Sequence, residues 1–562
     1  MLKVAGIKWA VRKGYEPIIL KVSFAENTEG KLAPFARGDI IKDSSIRKVY
    51  RASVPYAQET LPVVVKIYKH KIKKLHDLKY LRVPKGIAEY LKARELEKRG
   101  VPTLFALAGG ARRRYLIPIE HFFISREIVG GRTLREFVNE DFPSLGAEER
   151  FVIKRKLIRA LASFVKGFHE RGVLQKDLHL SNIVFTRSSE GDFRFFLVDI
   201  VSVKVKRRLR LSQRLKNLAK LSTRFKGVSS GADRFRFFKI YAQGDEKIES
   251  HLKKYARIVE KQIWRYQSHK RRKYLRRAFS TNRFFAKVQK GRIKGFFRRE
   301  FKTAHSPFMQ NPAAFFDPDK VKLLKAGRRT TVAEGKITVD GEVKDIVIKR
   351  YNQKKWIDPF KDLFRHSRAF KAWKIANALF YSDFPVALPM GVFEERRLRW
   401  LRHSYLVMEK LKAMKLSEFL QEEFGPVQAS GAKPDEVKKK RIILSALARL
   451  IRHLHNQGFA HRDLKFTNIF VTSDSPNPIS NTPVSFYIID YDAYSLNRRV
   501  SKRLRKRDLS RMELAASKLE GVVSRTERMR FLKSYLADIK PGKSTFKTWG
   551  QDILRRAEKK GR

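Results

Sequence analysis

The chain has 562 residues, 43% of them hydrophobic, which is enough to bury the cores of roughly two to four globular domains. It has no cysteine, which excludes disulfides, thiolate catalysis and cysteine-based zinc sites and suits a reducing cytoplasm. Lysine and arginine number 125 against 56 acidic residues, a net charge of +69, so the surface is predicted to attract polyanions such as nucleic acid, anionic lipid or a phosphorylated glycan.

The first residues, MLKVAGIKWAVRKGY, do not predict a signal peptide. Lys3, Lys8 and Arg12 interrupt their apolar positions. No apolar stretch approaches the roughly 20 residues that span a bilayer. We therefore expect a soluble or peripheral protein.

The first half of the chain is predicted to begin with strands and to continue with helices. IRKVYRAS (46–53) and LPVVVKIYK (61–69) are rich in β-branched residues and predict strands. A helix is predicted over 85–100, where Gly100 and Pro102 end it. Strands over 115–129 lead to a hinge, and a long amphipathic helix over 147–171 leads to the loop QKDLHLSN.

The second half repeats this order. FFAKVQKGRIKGFFRRE (284–300) predicts its first strands, and a helix is predicted around 367–381. SYLVMEKL (404–411) predicts the hinge strand. A helix over 435–456 then leads to HRDLKFTN.

The two halves are recognisable copies. ALASFVKGFHERGVLQKDLHLSNI (160–183) aligns without a gap with ALARLIRHLHNQGFAHRDLKFTNI (446–469). An apolar run ending in aspartate follows each copy, at Asp199 and at Asp490. This period is far longer than that of solenoid repeats, so whole domains are duplicated.

A lysine strand, a loop aspartate, an asparagine five residues later and a strand-borne aspartate form the catalytic layout of a kinase fold. We therefore predict an α+β protein with two tandem protein-kinase-like bilobal domains, each with a small β-rich N-terminal lobe and a helical C-terminal lobe. The first domain is predicted over 1–255, as a degenerate or auxiliary copy. A basic helical connection is predicted over 256–274 and the second domain over 275–562.

Phosphoryl transfer assigns a role to each of these residues. Asp177 and Asp463 are predicted to orient the acceptor hydroxyl, and Lys66 and Lys349 to hold the phosphates of ATP. Glu409, on the hinge strand of the second half, is predicted to contact the nucleotide. The predicted ligands of Mg²⁺ are oxygen atoms, the ligands that this ion prefers, on Asn182, Asp199, Asn468 and Asp490.

The acid that aims the lysine is predicted in one copy only. Glu89 lies 23 residues after Lys66, whereas the residue 23 positions after Lys349 is Ala372. Glu89 is either this helix acid or an ordinary exposed helix charge. The loop histidine shows the opposite distribution: the second copy has it, and the first copy has Gln175 in its place.

Two absences narrow the substrate class. Neither lysine is preceded by GxGxxG, and no activation segment ending in APE follows Asp199 or Asp490. Protein kinases use that segment to hold a peptide. The domains are therefore predicted to act on a small molecule or a glycan.

SRAFKAWKIANAL, FAHRDLKFTNIFV, YIIDYDAYSLNRR and GVVSRTERMRFLKSYL resemble the lipopolysaccharide kinase (Kdo/WaaP) family, clearly over most of 275–537 and more faintly over 40–242. The resemblance implies a protein-kinase-like fold that uses Mg-ATP to phosphorylate a core sugar of lipopolysaccharide, Kdo or heptose. It also implies an anionic glycolipid partner and a place in the cytoplasm, peripheral to the inner face of the bacterial inner membrane. The second domain matches the family most closely, so we expect the main catalytic site there.

Two other hypotheses remain open. A catalytically inactive kinase fold could serve as a scaffold for polyanions at a membrane surface. The basic and aromatic stretch 264–297 could instead bind RNA by stacking and phosphate contacts, although it matches no RNA-binding module, and nucleic acid is not the expected partner.

Overall fold

A computed structural model describes residues 1–4, 6–21, 24–26, 32–34, 39–44, 47–69, 83–114, 117–225, 229–301, 312–317, 321–339, 341–352, 366–397, 400–425, 434–472, 484–497, 499–519, 521–537 and 542–561. The chain divides into two compact units, Met1–Tyr266 and Gln267–Arg562, called the first and second domain below. The division falls inside the helix Leu252–Arg277, within the segment that the sequence assigns to the connection.

The first domain begins with an antiparallel sheet. Its described strands, in chain order, are β1 Leu2–Val4, β2 Ile7–Val11, β3 Phe24–Glu26, β4 Leu32–Pro34, β5 Asp39–Asp43, β6 Arg47–Tyr56, β7 Glu59–Lys69, β8 Ala106–Arg114, β9 Ile117–Arg126, β10 Arg132–Thr133, β11 Val173–Gln175, β12 Ile183–Arg187, β13 Phe193–Leu197 and β14 Val203–Val205. The main sheet has the order β1-β2-β8-β9-β7-β6-β5 among the described strands. Two small sheets, β10-β12-β13 and β11-β14, belong to the part of the domain that carries the loop aspartate.

The sheet places Lys66 in the middle of β7. Lys66 pairs with Val49 of β6 on one side and with Phe123 of β9 on the other. The β-branched run before it favours an extended chain, and Val63 and Val65 are fully buried. A central strand therefore holds the lysine backbone rigidly.

Helices make up most of the rest of the first domain. The described ones are α1 Glu16–Lys21, α2 Lys85–Lys98, α3 Leu134–Glu136, α4 Phe142–Ser144, α5 Ala147–Glu170, α6 Leu211–Ser222, α7 Gly231–Ala242, α8 Glu246–Glu249 and α9 Leu252–Arg277.

Helix α5 delivers the catalytic loop. Its buried residues recur every three or four positions, the spacing of one helix face, at Ile153, Leu157, Leu161, Val165 and Phe168. The helix is followed by Gly172, whose φ is +75°, and a Cβ atom there would lie 1.9 Å from the carbonyl oxygen of Lys206. A glycine is required at this turn, which explains the glycine at the matching position 458, where φ is +90°.

The second domain repeats the plan. Its described strands are β15 Phe285–Lys290, β16 Ile293–Arg298, β17 Leu323–Ala326, β18 Thr330–Val339, β19 Glu342–Tyr351, β20 Pro389–Arg397, β21 Trp400–Glu409, β22 Met414–Lys415, β23 Phe459–Ala460, β24 Ile469–Thr472, β25 Ser485–Ile488 and β26 Ser495–Leu496. Its described helices are α10 Arg368–Phe380, α11 Leu416–Phe424, α12 Pro434–Asn456, α13 Lys502–Ser517, α14 Arg525–Leu536 and α15 Lys543–Gly561.

Strand order is the same in both domains. The main sheet of the second domain runs β15-β16-β20-β21-β19-β18-β17 among the described strands, which matches the first sheet element for element. The predicted helices over 85–100, 147–171, 367–381 and 435–456 are present, with ends shifted by no more than two residues. The prediction of two tandem α+β kinase-like domains is confirmed.

No helix in the described part of the chain is both long and apolar enough to span a bilayer.

Candidate active site

The lysine of the first domain lies in a buried ion pair. Nζ of Lys66 on β7 lies 2.8 Å from Oε1 of Glu89 on α2. Glu89 is fully buried, and its Oε2 accepts a hydrogen bond from the hydroxyl of Tyr68 at 2.5 Å. A buried pair is stable when its remaining polar atoms are also bonded, and both carboxylate oxygens here have a donor. Glu89 is therefore not an exposed helix charge.

Asp177 lies in the loop after β11 and remains accessible. Its side chain is 55% exposed, and its Oδ1 lies 2.6 Å from Nε2 of His179. Burial lowers the pKa of His179, and the positive charge of Arg224 acts in the same direction. The ring is therefore uncharged near pH 7, and its N–H donates to the carboxylate.

Asn182 and Asp199 lie beside Asp177. Nδ2 of Asn182 donates to the backbone oxygen of Asp177 at 2.8 Å, which leaves Oδ1 of Asn182 free to bind a ligand. All three residues line one cavity of about 360 Å³, together with Arg47 and Lys85. The structure thus places these three predicted residues of the first domain in one cavity.

Asp199 has a conformation that a non-glycine residue seldom adopts. Its φ is 54° and its ψ is 56°, in the left-handed region. NH1 of Arg47 lies 3.0 Å from its Oδ2. Burial would raise the pKa of Asp199, but the charges of Lys66 and Arg47 lower it below its usual value. The carboxylate is therefore ionised at neutral pH.

The lysine of the second domain has different partners. Nζ of Lys349 donates to Oδ1 of Asp490 and, at 2.8 Å, to Oδ1 of Asp492. Burial would lower the pKa of Lys349, but the charges of Asp492 and Asp490 raise it. Ala372, at the helix position of the missing acid, is fully buried. The sequence did not locate an acid for Lys349, and the structure places two carboxylates, Asp490 and Asp492, within hydrogen-bond distance of its Nζ.

Asp463 is flanked by cations in the second domain. NH1 of Arg511 on α13 donates to Oδ1 of Asp463, and Nζ of Lys465 lies 3.7 Å from Oδ2. Nδ2 of Asn468 donates to the backbone oxygen of Asp463 at 2.9 Å, the same arrangement as in the first domain. Asp490 has φ 66° and ψ 55°, also left-handed. The hydrogen bond from the asparagine to the loop aspartate and the left-handed strand-borne aspartate are therefore present in both copies.

Glu409 ends β21, and its side chain is exposed. Its backbone N–H donates to the carbonyl of Leu388 at 3.0 Å. Among the described residues, the structure gives its carboxylate no contact with Lys349 or with Asp490. The predicted role of Glu409 in nucleotide binding stays a prediction.

A buried residue holds the catalytic loop from behind in the second domain. Asp508 on α13 is fully buried and accepts hydrogen bonds from the backbone N–H groups of His461 and Arg462, each at 2.8 Å. Its Oδ2 also lies 3.0 Å from Nε2 of His455. Arg462 has φ 69°, so this contact stabilises a left-handed backbone.

In the first domain the peptide between Gln175 and Lys176, the counterpart of the His461–Arg462 peptide, faces the other way. Asn217 on α6 donates from Nδ2 to the carbonyl of Gln175 at 2.8 Å, where Asp508 accepts from an N–H of the equivalent peptide. Lys176, the counterpart of Arg462, is not among the described residues with positive φ. The change from aspartate to asparagine exchanges an acceptor for a donor, and the peptide orientation changes with it.

Gln175 performs the bonding role of the histidine that it replaces. His461 accepts from the backbone N–H of Asp463 at 3.3 Å and donates to the carbonyl of Ile489 at 2.8 Å. Gln175 accepts from the N–H of Asp177 at 3.2 Å and donates to the carbonyl of Asp199 at 3.2 Å. Each side chain thus links the catalytic loop to the strand end that carries the second aspartate.

The predicted Mg²⁺ ligands suit that ion by their chemistry. Each domain places one amide oxygen and one carboxylate near the loop aspartate, and Mg²⁺ takes hard oxygen ligands together with phosphate oxygens and water. In the described residues no group of three or more histidine, aspartate or glutamate side chains is arranged to hold a metal ion. One amide oxygen and one carboxylate in each domain suit an ion that also binds phosphate oxygens and water.

Sequence reasoning missed four residues of these sites: Arg47, Asp492, Asp508 and Arg511. A signal existed for Asp492, because DYD at 490–492 places two carboxylates on one loop. No local pattern marks Arg47 or Arg511, since each reaches its aspartate from a distant element.

A β-rich lobe with a buried lysine, followed by a helical lobe with a loop aspartate, an asparagine and a left-handed aspartate, defines a protein-kinase-like domain, and the chain has two of them. The family model for the lipopolysaccharide kinase (Kdo/WaaP) family matches residues 36–241 and again residues 320–535. The chain belongs to this family.

Among curated proteins, the chain is similar to the lipopolysaccharide core heptose(I) kinase WaaP of Pseudomonas aeruginosa, with 25% identity over 134 residues. The match covers 24% of this chain and 46% of that protein, so the chain spans about half the length of this relative. Among solved structures, WaaP in complex with acyl carrier protein matches at 21% identity, with a TM-score of 0.31, over 42% of this chain and 88% of that one.

Proposed function

We propose that the protein is an ATP- and Mg²⁺-dependent kinase that transfers phosphate to a sugar hydroxyl, on Kdo or heptose, in the inner core of lipopolysaccharide. The observation that carries this proposal is the same set of lysine, loop aspartate, asparagine and left-handed aspartate, found twice in a chain of the lipopolysaccharide kinase family. The family membership and the WaaP relative support the acceptor class.

Each residue has a role in this proposal. Lys66 and Lys349 would hold the nucleotide phosphates, and Mg²⁺ bound by the asparagine and aspartate oxygens would neutralise phosphate charge. Asp463 orients the acceptor hydroxyl and takes its proton as phosphate is transferred. Asp177 has the same role in the first domain.

We place the main catalytic site in the second domain. Asp508 fixes the N–H groups of His461 and Arg462 in the loop that carries Asp463, and Arg511 donates to the carboxylate of Asp463 itself. A general base works best when it is held within hydrogen-bond reach of the proton that it takes. The first domain is then auxiliary or acts on a second acceptor.

The proposed acceptor lies on a membrane, and one surface of the first domain suits an anionic bilayer. Arg155 and Arg159 on α5 and Arg236 on α7 line a groove of about 500 Å³. Among the described residues no carboxylate forms an ion pair with Arg155 or Arg159. Exposed apolar side chains lie beside them on the same helices, at Phe151, Val152 and Phe235.

Arginines around exposed apolar side chains are typical of protein surfaces that lie in a membrane interface. This surface, called the arginine groove, supports peripheral contact with an anionic glycolipid membrane. The protein would then act in the cytoplasm at the inner face of the inner membrane.

The RNA hypothesis receives less support. Aromatic residues of the stretch 264–297 are used inside the protein: Tyr274 stacks on Tyr381 with centroids 4.1 Å apart, and Phe285 and Phe297 are buried. Arg271 is also buried, with its guanidinium 5.1 Å from the ring centroid of Phe459. These groups are not available for stacking on bases.

Mass spectrometry of lipopolysaccharide from cells with and without the gene tests the proposal. We expect the core of the deletion strain to lose the mass of one phosphate, and complementation with the wild-type chain to restore it. An unchanged core, together with retained anionic-vesicle binding by the purified protein, would favour the inactive scaffold.

A further inference from the structure

The two domains differ in where they keep the acid that contacts the lysine. Helices α2 and α10 begin at matching positions, because Lys85 lies 19 residues after Lys66 and Arg368 lies 19 residues after Lys349. At the next turn the first domain has Glu89 and the second has Ala372. In the loop after the strand-borne aspartate the difference is reversed, since the first domain has Val201 and the second has Asp492.

Asp492 makes the contacts in the second domain that Glu89 makes in the first. Glu89 bonds to Lys66 at 2.8 Å and to the hydroxyl of Tyr68 at 2.5 Å. Asp492 bonds to Lys349 at 2.8 Å and to the hydroxyl of Tyr351 at 3.4 Å. Both tyrosines stand two residues after their lysine on the same strand.

Helix α10 also contacts Asp492, but through the cationic side chain of Arg368. NH2 of Arg368, at its first residue, lies 2.7 Å from Oδ2 of Asp492. The side chains of Asp492 and Lys349 are only 11% and 13% exposed, so their contact lies in a largely dry environment, whereas the side chain of Arg368 is 43% exposed. Such a carboxylate is held firmly, because Lys349 and Arg368 each bond to a different oxygen.

We infer that Asp492 is the positioning residue for Lys349, and that the acid has moved from the helix to the loop that also carries Asp490. The lysine of the second domain is therefore aimed by the same loop that supplies a predicted Mg²⁺ ligand. Its position depends on that loop and not on an acid of helix α10. The inference rests on the proposed function only in taking nucleotide phosphate as the ligand of Lys349.

The two domains carry the acid at different positions, one on the helix and one in the loop, so exchanging the residues at these positions tests the inference. In the full chain with Lys66→Ala as background, Asp492→Val removes the loop acid and Ala372→Glu supplies the helix acid. Asp492→Asn keeps the shape of the side chain, for the case in which Asp492→Val does not fold. Asp345→Asn, an exposed carboxylate on the same strand as Lys349, is the control for the loss of one charge.

The first readout needs no nucleotide. Amine labelling of Lys349 in the free protein, followed by peptide mass spectrometry, measures how fast its Nζ reacts with the label. An Nζ held in an ion pair reacts slowly. We expect Asp492→Val and Asp492→Asn to raise the labelling rate at least several-fold, and Ala372→Glu with Asp492→Val to restore protection. Unchanged labelling in both single variants would overturn the inference, whatever the enzyme phosphorylates.

The second readout is the affinity for Mg-ATP, measured by calorimetry. Losing a hydrogen bond to a charged group corresponds to roughly ten- to hundredfold weaker binding, and we expect that range for Asp492→Val but not for Asp345→Asn. Recovery in the double variant identifies lysine positioning, because a merely structural role would not be restored by an acid placed on α10. If Asp492→Val binds Mg-ATP as tightly as its background, the inference is wrong.

The inference and the proposed function can fail separately. If labelling changes as expected but neither the wild-type protein nor any variant phosphorylates the glycolipid, the inference stands and the proposed acceptor is wrong.

Discussion

Nε2 of His179 lies 2.6 Å from Oδ1 of Asp177, so the loop aspartate of the first domain is hydrogen-bonded to a titratable ring. The second domain has Lys465 at the matching position, with Nζ 3.7 Å from Asp463. The two copies thus place different groups beside the matching carboxylate: a histidine that is uncharged near pH 7 and gains a charge in acid, and a lysine that stays charged.

Phosphoryl transfer by the first domain is expected to depend on pH in a way that the second domain does not share. The pKa of His179 is lowered by burial and by Arg224, so the ring gains its charge only below about pH 6.5. His179→Lys, which installs the residue of the second domain, should remove that pH dependence in an Asp463→Ala background. A profile unchanged by His179→Lys would contradict the account.

Acid should destabilise the first domain through a fully buried histidine. His169 bonds to Tyr241 and Asn217, and burial lowers its pKa to about 3. Because the unfolded chain binds the proton at about pH 6.5, the folded state loses stability as pH falls below that value, by about 2 kcal/mol at pH 5. Thermal unfolding at pH 7 and pH 5, with hydrogen exchange of α5 to assign the transition, measures the loss. His169→Gln should flatten the pH dependence, and an equal slope in that variant would show that other groups are responsible.

Asp508 should be essential to the loop of the second domain. Asp508→Asn replaces an acceptor of two backbone N–H groups by a side chain that can accept with only one atom, so we expect a loss of about 2–3 kcal/mol in stability and a fall in activity. Asn217→Asp in the first domain should be similarly harmful, because it removes the donor to the carbonyl of Gln175. Urea unfolding and transfer assays on the two single variants check this. Tolerance of either change would show that the loop does not depend on this contact.

Nucleotide binding should require the strand lysines. Lys66→Ala and Lys349→Ala each remove a buried cation predicted to bind phosphates, so each should eliminate one of two Mg-ATP sites. Calorimetry of the full chain with and without Mg²⁺ counts the sites. Undiminished binding in the double variant would refute the kinase interpretation.

The arginine groove should govern binding to membranes. Each arginine near an anionic surface contributes about 1 kcal/mol, and the effect fades beyond a Debye length of roughly 8–10 Å. Arg155→Glu with Arg159→Glu should weaken flotation with anionic vesicles and reduce its dependence on salt. Arg207→Glu with Arg208→Glu, two exposed arginines elsewhere in the first domain, changes the net charge equally and is the control. Equal loss in both pairs would assign the binding to overall charge, and tighter binding to RNA than to vesicles would favour the nucleic-acid hypothesis.

The sequence predicted the duplicated fold because local patterns carry it. Lys66, Asp177 and Asn182 stand in motifs whose spacing is set by one strand or one loop, and the repeat shows each motif twice. Long-range contacts were not predictable in this way. Arg511 reaches Asp463 from another helix, and Asp492 reaches Lys349 from a loop although the sequence located no acid for that lysine, so both contacts depend on tertiary packing.

The transfer of phosphate to purified core glycolipid by Asp463→Ala and Asp177→Ala, each in the full chain, tests the central claim most directly. A positioned base contributes about 10²–10⁴-fold, equivalent to roughly 3–5 kcal/mol of transition-state stabilisation, and we expect a loss of that size in Asp463→Ala and a smaller one in Asp177→Ala. Full activity in Asp463→Ala together with none in Asp177→Ala would contradict the account and place the catalytic site in the first domain, beside Glu89.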